Sequence, residues 1–304
     1  MRIIAPNYYK KFSCIADKCQ HSCCVGWEID IDADTYEMYH LVEGEIGERL
    51  WNCISCDGEP HFILDENGRC PFLNSKGLCD IITECGEDAL CDICADHPRF
   101  RNYRSDGIDI GLGLCCEAAA SLILGFEEPF CLEIIEDDGH EIECSADEIA
   151  LNKAFASAIA VAQDRTLSFG DRCEKLSGTF GAKLPDYSPL EWAKFYSSLE
   201  RLDSAWDECL EYLGKCDKLA VDYKDERAAE NLLCYFLYRH MASVLEDNDI
   251  SSKVGFAVLS CRVVLTLAES FGIEEAARMY SSEIEYSDEN LAKILSKVDI
   301  EYYI

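Results

Sequence analysis

The sequence predicts a mainly α protein in two parts: a cysteine-rich loop-and-helix N-terminal metal module over residues 1–125 and, after a small β-hairpin, a C-terminal helical bundle within residues 126–304. Three observations carry this reading. Thirteen of the twenty cysteines lie before residue 117, at the short spacings of soft-metal ligands. Turn-forming stretches such as Cys56-Asp57-Gly58-Glu59-Pro60 and Asp65-Glu66-Asn67-Gly68 crowd the same region. Beyond Ser145 the apolar residues recur with the period of amphipathic helices.

In chain order, the first helix expected is one capped by Asp34, with Tyr36, Tyr39, Leu41, Val42 and Ile46 along it and an end near Leu50-Trp51. Residues 129–135 and 141–144 alternate in character around Asp138-Gly139, the pattern of a hairpin. Ser145 with Glu148 reads as a capping box for a helix through Ala162. Ser188-Pro189 opens another helix, containing Trp192, Phe195, Leu199, Leu202 and Trp206. Apolar runs over 228–245 and 254–271 follow, the second stopped by Gly272, and two shorter helices are expected over 273–280 and 288–298. No internal repeat or low-complexity linker divides this part, so it reads as one bundle.

Composition limits the function. Of 304 residues, 59 are acidic and 27 basic, a formal charge of −32, which repels nucleic-acid phosphates and anionic membranes. No stretch reaches the roughly 18 apolar residues that suggest a membrane span. Met1 is followed by Arg2-Ile3-Ile4-Ala5-Pro6-Asn7-Tyr8-Tyr9-Lys10-Lys11, without the apolar core of a secretory signal, so a cytoplasmic chain is expected. Thiols stay reduced there, which favours metal binding or redox chemistry over a disulfide framework.

The cysteine spacings have the form of a coordination site. Cys14-x4-Cys19-x3-Cys23-Cys24 is one group, Cys70 and Cys79 flank a turn at Lys76-Gly77, and Cys91-x2-Cys94 supplies a third pair. The C-x-x-C spacing lets two sulfurs face one centre, as in zinc ribbons and ferredoxin-like clusters. Adjacent cysteines in extended backbone point in different directions, so Cys23 and Cys24 need not serve the same atom. His21 and His97 lie within the pattern, as ligands or as donors behind the ligands. Cys131, Cys144, Cys173, Cys209, Cys216, Cys234 and Cys261 are scattered, and those on apolar helix faces read as small core residues.

These residues also carry a family resemblance. Phe12-Ser13-Cys14, Cys19, Cys23-Cys24-Val25-Gly26-Trp27-Glu28-Ile29-Asp30-Ile31-Asp32, Arg69-Cys70-Pro71-Phe72-Leu73, Gly77-Leu78-Cys79, Leu90-Cys91-x2-Cys94-x2-His97-Pro98-Arg99 and Cys115-x-Glu117-Ala118-Ala119 resemble, in order, the motifs of the flagellin lysine-N-methylase family. The resemblance covers about residues 8–125. It implies methyl transfer from S-adenosylmethionine to lysines of flagellin or another lysine-bearing protein, in the cytoplasm, with a cysteine-bound centre that is a [4Fe–4S] iron–sulfur cluster or zinc. By motif position it implies Cys19, Cys23, Cys70, Cys79, Cys94 and Cys115 as ligands, with Cys14, Cys24 and Cys91 next. Where the family has Tyr-Pro-Arg this chain has His97-Pro98-Arg99, and where it has Ser-Cys-Pro-Glu this chain has Leu114-Cys115-Cys116-Glu117.

An amine must lose its proton before it attacks a sulfonium methyl, which calls for a carboxylate or phenol nearby. Tyr8, Asp30 and Asp32 are candidate acceptors and Trp27 a candidate cofactor contact, because they flank the first cysteine group. Packing and helix capping are the competing roles for these residues. Arg99 can hold a carboxylate bidentately, including the amino-acid end of the cofactor, or pair with a local acid. Asp109-Ile110-Gly111-Leu112-Gly113 hints at a glycine turn, but no strand, helix and acidic residue follow in the arrangement a Rossmann unit requires. The C-x3-C-x2-C spacing of the common radical S-adenosylmethionine enzymes is absent too, since Cys19-x3-Cys23 is followed by Gly26. Beside the methyltransferase stand two alternatives: a non-catalytic zinc- or cluster-binding protein, and a redox protein built on Cys91-x2-Cys94.

Overall fold

The structure is a computed structural model and describes residues 1–139 and 144–298. Its contacts divide the chain into a cysteine-bearing unit, Ser13–Arg99, and a helical unit, Met1–Phe12 with Phe100–Ile304. The boundary therefore falls at residue 100 and not at the expected 125. Leu112, Leu114, Ala119, Ala120 and Ile123 explain the shift, because their side chains enter the core of the helical unit, as does Tyr8 from the N-terminal segment.

The first element is strand β1 (Arg2–Pro6) of the helical unit. The cysteine-bearing unit then contributes α1 (Ala33–Tyr39), α2 (Gly44–Asn52), β2 (Ile54–Ser55), β3 (His61–Phe62), α3 (Asp80–Cys85) and α4 (Asp92–Asp96). The single expected helix is in fact two, because Gly44 takes a φ of +83° and breaks the run. Its cap is Asp32 and not Asp34: Asp32 has extended backbone and accepts from Thr35 N at 2.9 Å. Strands β2 and β3 pair antiparallel around the Cys56–Pro60 turn. Ile29, Ile31, Tyr39, Leu50, Phe62, Phe72 and Ile81 form this unit's own core, with the Tyr39 hydroxyl donating to Ala89 O at 2.9 Å.

The helical unit continues with β4 (Arg99–Tyr103), β5 (Gly107–Leu112), α5 (Glu117–Leu124), β6 (Leu132–Asp137), α6 (Ala146–Ala162), α7 (Phe169–Phe180), α8 (Pro189–Tyr196), α9 (Trp206–Leu213), α10 (Glu226–Met241), α11 (Val244–Asp247), α12 (Ile250–Phe271), α13 (Ile273–Tyr280) and α14 (Asp288–Val298). Its sheet has the order β4-β5-β1-β6, with β1 parallel to β5 and antiparallel to β6. The expected hairpin is corrected in part: β6 forms, but its partner is β1, and residues 141–143 of the second arm lie outside the described residues. The capping boxes at Ser145 and Ser188 are both present. The helix expected to run from Ser188 past Trp206 ends at Tyr196, and a second begins at Trp206.

Helices α10 and α12 are buried on nearly every face because other elements surround them. Helix α12 is long and apolar enough to cross a bilayer, a property the sequence reading missed, yet most of it is buried in the core. Two buried charged groups of this core have close partners. Arg172 and Glu230, both essentially inaccessible, pair at 3.1 Å, and Glu285 accepts from the Tyr235 hydroxyl (2.8 Å) and from His240 Nε2 (2.6 Å).

Candidate functional site

Four segments of the cysteine-bearing unit bring thiols together. Asp65 starts a tight turn, its Oδ1 accepting from Asn67 N and Arg69 N at 2.8 and 2.9 Å. The chain then pairs with the first cysteine group: Cys70 N donates to Cys24 O at 2.8 Å and Gly26 N to Gly68 O at 2.9 Å. Arg69 is held by its own guanidinium, which donates to Leu73 O and Asn74 O. Asn74 in turn shapes the turn before Cys79, accepting from Lys76 N and Leu78 N while its amide donates to Asp80 Oδ1. At Gly77, with φ +77°, a Cβ would stand 3.4 Å from Asp17 Cα, so this turn packs closely on the Cys14–Cys19 loop. Arg49 fixes α3 by bonding Asp80 Oδ2 (2.9 Å) and Pro71 O (3.2 Å).

The electrostatics show which thiols influence one another. Cys24 is drawn down to about 7, first by a hydrogen bond from Cys23, against partial burial, with help from Ser22 and Arg69. Cys91 is lowered by its bond to Cys94, and Cys94 is raised by the same pairing, by burial, and by the neighbouring Cys91, Cys24 and Cys23. Burial pushes Cys70 up to about 12 and raises Cys79, and both feel Cys24. Six of the expected ligands, Cys23, Cys24, Cys70, Cys79, Cys91 and Cys94, thus interact with one another. The donor set is soft and suits zinc or an iron–sulfur cluster. Cys23 with Cys24 and Cys91 with Cys94 stand as hydrogen-bonded free thiols, however, and among the described residues no three His, Cys, Asp or Glu side chains are arranged to hold a metal ion.

The other expected ligands have neighbours of their own. The exposed Cys14 sulfur accepts from Ala16 N at 3.4 Å, and Cys19 closes the short turn Ala16–Lys18. Cys115 belongs to the helical unit, where burial pushes its thiol up to about 12 against the Tyr286 hydroxyl and the Arg239 cation. Arg239 is sandwiched there between Phe100 and Tyr286, 4.8 and 5.0 Å from the ring centroids. The spacing of Cys115 from the other cysteines gave no sign of this. Arg69 and Ser22, which tune Cys24, were not foreseen, although Arg69 sits inside a quoted motif.

The remaining candidates have definite neighbours. Tyr8 is in the helical core against Phe126 and Phe130, and burial raises its phenol far above the ordinary value, so packing describes it. Asp32 spends both oxygens on helix starts, Oδ1 on Thr35 N and Oδ2 on Asp92 N, each at 2.9 Å. Those backbone donors outweigh partial desolvation and lower its carboxyl. Asp30 is exposed, bridged through its backbone to His61. Trp27 Nε1 donates to Cys23 O at 2.6 Å, and its ring lies 6.1 Å from His97. Burial, aided by Arg99, lowers the His97 imidazole to about 4, leaving it neutral. Arg99 donates to Ala95 O at 3.3 Å. Cys91 does cap a helix, as a reactive C-x-x-C thiol does, but it is wholly buried.

A cavity of about 70 Å³ opens in the helical unit among Arg2, Arg104, Asp106, Asp109, Asn152 and Tyr238. Small-molecule sites usually measure about 300–1,000 Å³, so it is too small for S-adenosylmethionine.

The chain is similar to proteins whose names bear on chemistry. It is 25% identical over 144 residues to the lysine-N-methylases of Salmonella typhimurium and of Salmonella choleraesuis, covering 43% of this chain and 34% of each relative. It is 27% identical over 143 residues to the flagellar biosynthetic protein FliU of Salmonella muenchen, covering 43% of this chain and 81% of that protein. The chain thus spans about a third of the length of the two methylases. No family model and no solved structure matches it.

Proposed function

We propose that this protein methylates lysine amines of a partner protein, flagellin first among them, with S-adenosylmethionine as donor, and that it acts in the cytoplasm. The observation that carries the reading is the likeness to two proteins named lysine-N-methylase and to a flagellar biosynthetic protein. The donor is proposed from the reaction class alone, since Trp27 and Arg99 both bond neighbouring backbone. Of the three candidate proton acceptors, Asp30 is the one proposed: Tyr8 is buried and Asp32 is committed to two helix starts.

A cysteine-bound centre is part of the proposal. Cys24, Cys70, Cys79 and Cys94 would hold zinc or a [4Fe–4S] cluster, in place of the hydrogen bonds that Cys24 makes to Cys23 and Cys94 to Cys91. Such a centre would cross-link four segments and so would couple metal binding to folding. It leaves the amine to be oriented and deprotonated by side chains. The second reading, a metal-binding protein without catalysis, rests on the thiol convergence alone. Anaerobic purification with iron, sulfide and zinc analysis tests the centre; mass spectrometry of flagellin treated with the protein and S-adenosylmethionine tests the transfer. Metal without methylation replaces the first reading by the second.

A further inference from the structure

Tyr36, His40 and Trp51 form an aromatic group on the surface of the cysteine-bearing unit. The His40 ring lies 4.8 Å from Tyr36, edge to face, and 4.3 Å from Trp51. Their burial is incomplete: Trp51 stays 52% exposed and Leu41, next to His40, 81%. Residues on the opposite faces of the same helices, Tyr39 and Leu50, are buried. Single exposed apolar residues are ordinary, but three rings in mutual contact, with an exposed leucine next to one of them in the chain, mark a contact surface.

The surrounding charge says what it contacts. Residues 33–60 hold seven carboxylates and one basic side chain, Arg49, and Arg49 is already committed to Asp80. Glu37 follows Tyr36, and Glu48 stands one turn before Trp51; both are exposed. An apolar face rimmed by carboxylates complements a segment rich in lysine, whose long stems bury along aromatic and aliphatic surface while the ammonium groups meet rings and acids.

We propose that the face formed by Tyr36, His40, Leu41 and Trp51 docks a lysine-rich segment of a partner protein. The proposal rests on the lysine-methylating reading for the partner's identity and adds how that partner is recruited. Trp51 is the most exposed tryptophan, since Trp192 and Trp206 are buried and Trp27 is partly covered, so its fluorescence reports occupancy.

The test titrates the full chain at low salt with a synthetic peptide alternating lysine and leucine, and with the same peptide carrying glutamate for lysine. The lysine peptide should shift the emission saturably, and the glutamate peptide should not. Leu41→Ser with Glu37→Lys and Glu48→Lys should weaken binding by about tenfold or more, with an unchanged circular dichroism spectrum. Equal binding by this variant, equal binding of the glutamate peptide, or no saturable binding overturns the proposal. Flagellin methylated normally by this variant also overturns docking while leaving the methylase reading intact. Peptide binding without methylation does the reverse.

Discussion

Asp32 Oδ2 lies 2.9 Å from the backbone nitrogen of Asp92. Through this one bond the segment that follows the first cysteine group is tied to the start of α4, the helix that carries Cys94 and is capped by Cys91. The other oxygen caps α1 at Thr35, so a single carboxylate fixes two of the chain segments around the thiols.

Replacing Asp32 by Ala should therefore cost about 1–2 kcal/mol, the range of a lost helix cap. Asp32→Asn keeps one acceptor oxygen and should lose less. Urea denaturation of both variants measures the difference. An alanine variant as stable as the parent would show that the double cap contributes nothing.

Glu148 supplies a pH dependence. The Ser105 hydroxyl and backbone, together with Ser145 N, hold its carboxyl down to about 2, against an ordinary 4.5. A depressed folded pKa means that the stabilisation is complete above about 4.5 and is lost as pH falls toward 2. The difference in stability between parent and Glu148→Gln should shrink across that window. A difference constant from neutral pH to pH 2 would contradict the assignment.

The Arg172–Glu230 pair lies in the interior. Removing Glu230 leaves the buried Arg172 with only the exposed Glu226 carboxylate at 3.6 Å and takes from Arg165 its partner, so Glu230→Ala should cost about 3–5 kcal/mol. Replacing both by apolar residues of similar volume should recover much of that loss. Thermal denaturation of the single and double variants decides the matter.

Metal content should separate two classes of cysteine. Cys70→Ser, Cys79→Ser and Cys94→Ser should each lower bound metal per chain. Cys209→Ser and Cys234→Ser should retain it but lose about 1–3 kcal/mol, because they bury a hydroxyl among apolar side chains. Elemental analysis beside chemical denaturation reads both effects, and equal metal loss in the two classes would refute the partition.

Much of this was legible from local pattern. The capping boxes at Ser145 and Ser188, the stop at Gly272 and the mainly α character follow from residues within a few positions of one another. The motifs place Cys24, Cys70, Cys79 and Cys94 in one unit, where the last three each feel Cys24; a metal role for them is a proposal. Long-range pairing was not legible. Nothing near Arg2–Pro6 announces that it pairs with both Gly107–Leu112 and Leu132–Asp137. Cys115 resembled a ligand by motif, yet the Arg239 and Tyr286 side chains that surround it come from residues far along the chain. At Asp32 a cap and a base call for the same residue type, and the structure shows the cap bonds.

The most direct test is co-expression of this protein with flagellin, followed by intact-mass and peptide mass spectrometry. The account expects lysine-containing flagellin peptides to gain mass in whole methyl increments, and the gain to fall when Asp30→Asn replaces the parent. Flagellin of unchanged mass, with the protein folded, metal-loaded and supplied with S-adenosylmethionine, would contradict it.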